Sequence, residues 1–199
     1  MVYNGQVVKY QISKYLYKSD SGLHGIISDK LILLQPVRRG KGKMDMKEYE
    51  VKLKNYIIEN NIDAEQIIFT KSCHSVQEAA DAVGASPEDL VKNICMIDDN
   101  DNLIVAIVKG EDRVSMSRVG KALNINMPRI ANESEILEKT GYPCGGVPSF
   151  GYKATYIIDL KVLEKEVVYT GGGSPYSLVR ITSKELQKAN NGLIARVRK

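Results

Sequence analysis

Two hydrophobic periods run along this 199-residue chain, and the change between them falls near residue 45. Before it, apolar and polar positions alternate in VKYQISKYLY, and LILLQPV forms a second β-like run after the turn signal SDSG. After it, Tyr49, Leu53, Tyr56 and Ile57 fall on one face of a helix ending near residues 60–61. The switch follows a glycine-containing basic loop. It divides the chain into a β-rich extension, 1–45, and a larger unit, 46–199.

Within the larger unit the local signals are explicit. SVQEAADAVG reads as a helix with Ser75 as N-cap, Glu78 completing a capping box and Gly84 as the left-handed stop. SPEDLVKN reads as a second short helix, capped by Ser86 with Pro87 at its first position, and places Lys92 at its end. NICMI and LIVAIVKG follow as strands around the turn DDND. Helical patterns return at SMSRVGKAL and ESEILEKTG. Strands ATYIID, EVVYTGGG and SLVRI come next, and a helix at SKELQK is capped by Thr182 with Glu185 three residues on. Strands outnumber βαβ alternation late in the chain, which predicts an α/β (α+β) domain with a mixed, barrel-like sheet flanked by helices.

Composition narrows the class. The chain is 43% hydrophobic without an apolar run of membrane-spanning length, and its start lacks the apolar core of a signal peptide. Three widely spaced cysteines, Cys73, Cys95 and Cys144, suit reduced thiols, so a soluble cytoplasmic protein is expected. Charge is uneven. Residues 1–45 hold eight basic and three acidic side chains, a surplus of +5 against +4 for the whole chain. Arg38, Arg39, Lys41 and Lys43 crowd into PVRRGKGK, which reads either as a phosphate-facing patch or as a solvated loop.

Familiar catalytic signatures are missing. With two histidines and neither CxxC nor HxxxH, the chain offers no zinc spacing and implies no cofactor. GxGxxG, GxxxxGK[ST] and GxSxG do not occur in their required settings. Cys144 with His74 could form a thiol–base pair, or be a small packed residue and a surface residue.

What remains is backbone. Seven of sixteen glycines lie in 141–151 and 171–173. In GYPCGGVPSFG, Pro143 and Pro148 stiffen a loop whose glycines let a ligand approach the main chain, so its amides could hold an oxyanion. The alternative is a connecting loop that turns at each glycine. Lys92, before an apolar strand, could hold a phosphate or carboxylate, or be a solvated lysine favoured by the helix dipole.

The ordered run SVQEAADAVGASPEDLVKNI, LIVAIVKGEDRVSMSRVGKAL, TGYPCGGVPSFG and VVYTGGGSPYSLVRIT resembles the YbaK/ProX-type editing domain, also found inserted in bacterial prolyl-tRNA synthetases. The likeness covers about residues 70–190, and the helix at 46–60 belongs to the same domain. It implies a mixed, barrel-like α/β fold and hydrolysis of the ester joining a wrong amino acid to tRNA. By motif position, Lys92 corresponds to the functional lysine near the terminal adenosine. Gly145 and Gly146 correspond to the GG whose backbone holds the aminoacyl carbonyl. Val147, Pro148 and Ser149 continue the substrate loop, and Gly171, Gly172 and Gly173 match the segment that closes the pocket. Two departures stand out: GGVPS where many relatives have GGVSP or GGVPP, and Ser174-Pro175-Tyr176 where some carry a histidine.

The resemblance therefore implies a trans-editing deacylase whose partners are mischarged aminoacyl-tRNA and, as a candidate, an aminoacyl-tRNA synthetase, with no membrane. Arg38, Arg39, Lys41 and Lys43 are the candidate acceptor-stem contacts. The reading from another class is a non-catalytic module that binds a tRNA end or a nucleotide.

Overall fold

The computed structural model describes residues 45–69 and 75–199. Of the preceding residues it describes only the backbone of Val2–Tyr3 (β1), Gln6–Val7 (β2), Lys18–Ser19 (β3) and Gly22–Leu23 (β4), paired β1 with β2 and β3 with β4, both antiparallel. Arg38, Arg39, Lys41, Lys43, Cys73 and His74 lie outside the described residues.

The helical period at 45–60 becomes α1, Met46–Glu59, which buries Tyr49, Leu53 and Ile57. It leads into β5, Ala64–Ile68, a strand whose short AEQII run carries too little alternation to announce it. The capping signals place their helices as expected. Ser75 and Glu78 form the box of α2, Val76–Val83, and Gly84 stops it with φ +66°. α3, Met116–Leu123, starts on Ser115; α4, Glu133–Thr140, on Asn132; and α5, Ser183–Asn190, on Thr182.

One expected helix is different. Ser86 does cap a turn, but only Pro87–Asp89 form it, and it is 3-10. The chain is extended again by Leu90, where a parallel bridge to Tyr169 captures it, and β6 already spans Val91–Ile97. Lys92 is therefore a strand residue and not the end of a helix. Long-range pairing outweighs the local preference of so short a segment.

β6 pairs with β7, Leu103–Lys109, across the DDND turn. β7 is central in a five-strand sheet of order β12-β9-β7-β6-β8, where β9 is Thr155–Ile158, β8 Arg129–Ile130 and β12 Leu193–Ile194. Its parallel pairing with β9 and antiparallel pairing with β6 make the sheet mixed. A central strand covered on both faces favours a continuous apolar run, which β7 carries over 103–108, and all of β7 including Lys109 is buried. A second sheet, order β10-β11-β5, contains β10 (Val167–Gly171) and β11 (Ser177–Thr182). The Leu90–Tyr169 bridge joins the two sheets, which are flanked by helices as the sequence implies.

The main core lies between the sheets: Val105 and Ile107 of β7 meet α1, Val168, Val179, Leu186 and the aromatic residues of the 141–151 loop. The opposite face of β6 and β7, with Met96, Ile104, Ala106 and Val108, is covered by Val119 of α3 and by Val197. The glycine loop thus crosses the end of the main core.

Candidate active site

α4 delivers the chain to the loop. Gly141 ends it in a left-handed conformation, and the buried Thr140 hydroxyl accepts from the Tyr142 amide at 3.0 Å. Tyr142 enters the core fully buried, with its hydroxyl unpaired among the described residues. Burial raises its pKa. Next comes a turn over 143–146, closed by Gly146 N–H donating to the Pro143 carbonyl at 3.0 Å. Its third residue, Gly145, has φ +85°, the value a type II turn requires there.

The stretch after the turn hangs on one side chain of β6. Asn93 donates to the Val147 carbonyl at 2.8 Å and to the Thr170 hydroxyl at 3.0 Å. Its oxygen accepts from Ser149 at 2.7 Å. Since the single Ser149 proton goes to Asn93, Thr170 is the donor in the 2.7 Å contact between the two hydroxyls. Tyr152 donates to the Pro148 carbonyl at 2.7 Å and Asn190 to the Ser149 carbonyl at 3.0 Å. Val147, Pro148 and Ser149 are thereby buried, and Ser149 is wholly inaccessible.

The second glycine segment lies directly against the first. Gly173 N–H donates to the Gly146 carbonyl at 2.8 Å. A Cβ on Gly146 would stand 2.5 Å from Ser174 Cα, and one on Gly171 would overlap the Val147 carbonyl. The Gly172 carbonyl accepts from Gln66 of β5 at 2.7 Å. Apposed backbones account for these glycines; no ligand has to be invoked. Gly145 differs, because it is exposed and open beyond Pro175 Cγ at 3.7 Å. Its amide has no partner among the described residues.

Of the two adjacent amides, Gly146 N–H is committed within the turn, while Gly145 N–H is unpartnered among the described residues. Cys144 is exposed beside it. Cys95, by contrast, is buried in β6, and burial pushes its pKa up to about 12.

Lys92 is half-buried, with its ammonium donating to the Gly110 carbonyl at 2.9 Å. Burial lowers its pKa, Asp112 acts in the opposite direction and Arg113 reinforces burial. Side chains alternate along a strand, so Lys92 shares the face of Ile94 and its cross-strand neighbour Val108, whereas Asn93 turns inward to the loop. The structure brings Asn93, Thr170 and Ser149 together with the turn. Among the described residues, no hydrogen bond or ion pair connects Lys92 to it. Asn93 was unmarked in the sequence except as a polar residue within an apolar strand.

The two ends of the loop, Tyr142 and Gly151, line a groove of about 550 Å³ along α1 with Val51, Lys52 and Tyr56. Lys52 lies 4.1 Å above the Tyr142 ring and donates to the Gly141 carbonyl at 3.0 Å. Burial lowers its pKa as well. No group of three metal-ligating side chains occurs among the described residues, and none of their helices is long and apolar enough to cross a membrane.

Fold and loop together define a two-sheet α/β domain built around a clamped glycine turn that presents a free main-chain amide. The chain belongs to the aminoacyl-tRNA editing domain family, whose model matches residues 70–189. It is 25% identical over 122 residues to the uncharacterized protein YwhH of Bacillus subtilis (strain 168), covering 60% of this chain and 77% of that one. It is also 25% identical over 109 residues to a proline–tRNA ligase of Kosmotoga olearia, covering 54% of this chain but only 19% of the ligase. A crystal structure described as that of a candidate trans-editing enzyme for prolyl-tRNA synthetase shares the fold. Its TM-score is 0.70 at 24% identity, covering 76% of this chain and 97% of the other.

Proposed function

We propose that this editing-domain protein is a trans-acting deacylase that hydrolyses the ester between a wrong amino acid and the 3′ end of tRNA. The supporting observation is the exposed Gly145 amide, unpartnered among the described residues and held on a turn anchored from both sides. An aminoacyl ester is already activated, so a side-chain nucleophile is unnecessary. Water adds to the carbonyl carbon, negative charge gathers on the carbonyl oxygen, and the C–O bond to the ribose breaks as that ribose oxygen takes up a proton. The Gly145 N–H stabilises the oxyanion, a contribution typically worth about 3–4 kcal/mol per donor. The vicinal ribose hydroxyl assists the proton transfers. Lys92 positions the terminal nucleotide as a point charge. Gly146 serves through the turn it closes, and Val147, Pro148, Ser149 and the 171–173 segment fix the turn in place.

Arg38, Arg39, Lys41 and Lys43 supply phosphate contacts on the acceptor stem. The likeness to part of a proline–tRNA ligase makes an aminoacyl-tRNA synthetase the natural second partner.

Incubation with a panel of mischarged tRNAs tests this reading. Loss of the ester that depends on Lys92 supports it. Tight binding with the ester retained would instead establish a non-catalytic module that holds a tRNA end, a reading favoured by the commitment of Gly146 N–H within the turn. Cys144→Ala distinguishes a thiol mechanism. Little change is expected, and abolished activity would give the exposed thiol the central role.

A further inference from the structure

α1 turns one face to the core, with Tyr49, Leu53 and Ile57 buried there, and a carboxylate is buried with them: Glu50 is only 6% exposed. Among the described residues no cation forms an ion pair with it. An apolar side chain would suit such a position better, because a buried polar group is unfavourable unless it is hydrogen-bonded. A local inconsistency of this kind tends to mark a functional constraint.

The partner of Glu50 shows what the constraint is. The fully buried Ser174 donates its hydroxyl to Glu50 Oε1 at 2.5 Å and accepts from Tyr176 N–H at 3.0 Å. Gln66 adds a second tie, donating to the Glu50 carbonyl at 3.0 Å and to the Gly172 carbonyl at 2.7 Å. The segment so held bears on the turn in two places. Gly173 N–H binds the Gly146 carbonyl at 2.8 Å, and Pro175 borders the open side of Gly145.

We infer that Glu50 is a positioning residue for deacylation: through the Ser174 hydroxyl it fixes the 173–176 segment against the 143–146 turn and so sets the direction of the Gly145 amide. This rests on the deacylase reading above. The carboxylate touches no substrate. Its role is to accept one hydrogen bond at a position where an apolar residue would leave the Ser174 hydroxyl only Ser177 Oγ, 3.2 Å away, as an alternative acceptor and would turn it away from α1.

The test compares Glu50→Ala, Glu50→Gln, Ser174→Ala and the double variant Glu50→Ala/Ser174→Ala on a mischarged tRNA, with thermal melting to establish folding. The two single alanine variants should each lower kcat about tenfold or more, because small misplacements of a catalytic group carry large rate penalties. KM should stay within about twofold, since tRNA binding is not involved. The double variant should be no worse than either single one, as expected for residues acting through one contact. Glu50→Gln, which still accepts through its amide oxygen, should stay within about threefold of the parent.

Unchanged kcat in a folded Glu50→Ala, additive losses, or Glu50→Gln as impaired as Glu50→Ala would each overturn the proposal. Failure of both alanine variants to fold would make Glu50 a folding determinant and overturn it too. Amide exchange at Gly145 and Tyr176, read by NMR without substrate, separates the two levels. Faster exchange in Glu50→Ala than in Glu50→Gln, in a protein that cleaves no ester, would leave the positioning role standing and remove only the deacylase reading.

Discussion

The Ser149 hydroxyl donates to Asn93 Oδ1 at 2.7 Å, while the Asn93 amide donates to the Val147 carbonyl at 2.8 Å. One side chain in the middle of a sheet thus holds both sides of Pro148, and with Thr170 it uses both of its N–H donors inside the protein. The loop is rigid because a strand grips it, and prolines contribute only part of that rigidity.

Asn93→Ala should therefore be far more damaging than its partial exposure suggests. It strands the Val147 carbonyl and leaves the Ser149 and Thr170 hydroxyls only each other as partners, a loss of about 3 kcal/mol. Urea unfolding measures it, and a loss under about 1 kcal/mol would show that the network is dispensable.

The two adjacent glycines should respond differently. Gly146→Ala forces a methyl group to within 2.5 Å of Ser174 Cα, where backbone cannot yield, and should destabilise by about 3 kcal/mol. Gly145→Ala meets only an unfavourable φ of +85° in open space, at about 1–2 kcal/mol. Replacing Gly145 by glycolic acid in a semisynthetic protein removes the N–H alone, and should lower kcat about 10²–10³-fold while the melting temperature barely moves. Full activity of that ester would exclude the amide as the oxyanion donor.

Lys92 sets an alkaline dependence. Burial lowers its pKa below 10.5, so between that lowered value and 10.5 the unfolded chain binds more protons than the folded one, and stability rises with pH. Activity should run the other way and fall as the ammonium is lost, with a midpoint below 10.5. Lys92→Met should lose activity and the Lys92 share of the stability rise, Lys52 retaining its own. A Lys92→Met protein with full activity would remove the lysine from the mechanism.

Part of the acid sensitivity should trace to Asp159, which is fully buried just after β9. Burial opposes its ionisation, but main-chain donors of Lys161, Arg198 and Val197 and the Arg198 guanidinium outweigh it and hold the pKa below 3.8. Its stabilisation is complete above pH 3.8 and disappears as pH falls through the lowered folded value. Asp159→Asn should destabilise by about 3–5 kcal/mol at neutral pH and flatten the acid limb of a pH–stability curve. An unchanged limb would place the acid transition elsewhere.

For the basic run, replacing Arg38, Arg39, Lys41 and Lys43 by glutamine should reduce the slope of log K against log salt for tRNA binding by about 3. A slope equal to that of the parent would remove these residues from the interface.

Much of the fold was legible in short-range signals. Ser75 with Glu78, Thr182 with Glu185 and the Tyr49–Leu53–Ile57 spacing located helices because capping and amphipathic periodicity act within a turn or two. The all-apolar LIVAIV run already described a strand covered on both faces. Pro87 and Ser86 did start a turn, but Val91 and Lys92 followed the sheet, since Leu90 pairs with a residue 79 positions away. The AEQII strand was hidden for the same reason, its partner β11 lying more than 100 residues on.

Sequence alone determined where backbone freedom is concentrated and where the capped α-helices begin, both being properties of adjacent residues. Which amide is free and which is committed was decided only by tertiary structure. Gly145 and Gly146 are identical in the sequence, but one faces solvent while the other is locked to Pro143 and pressed against Ser174. The identity of the clamp was equally out of reach, because Asn93, Ser149 and Thr170 acquire their roles from being folded within 3.0 Å of one another. Hydrogen bonds at that range depend on how two sheets meet, and no local pattern encodes it.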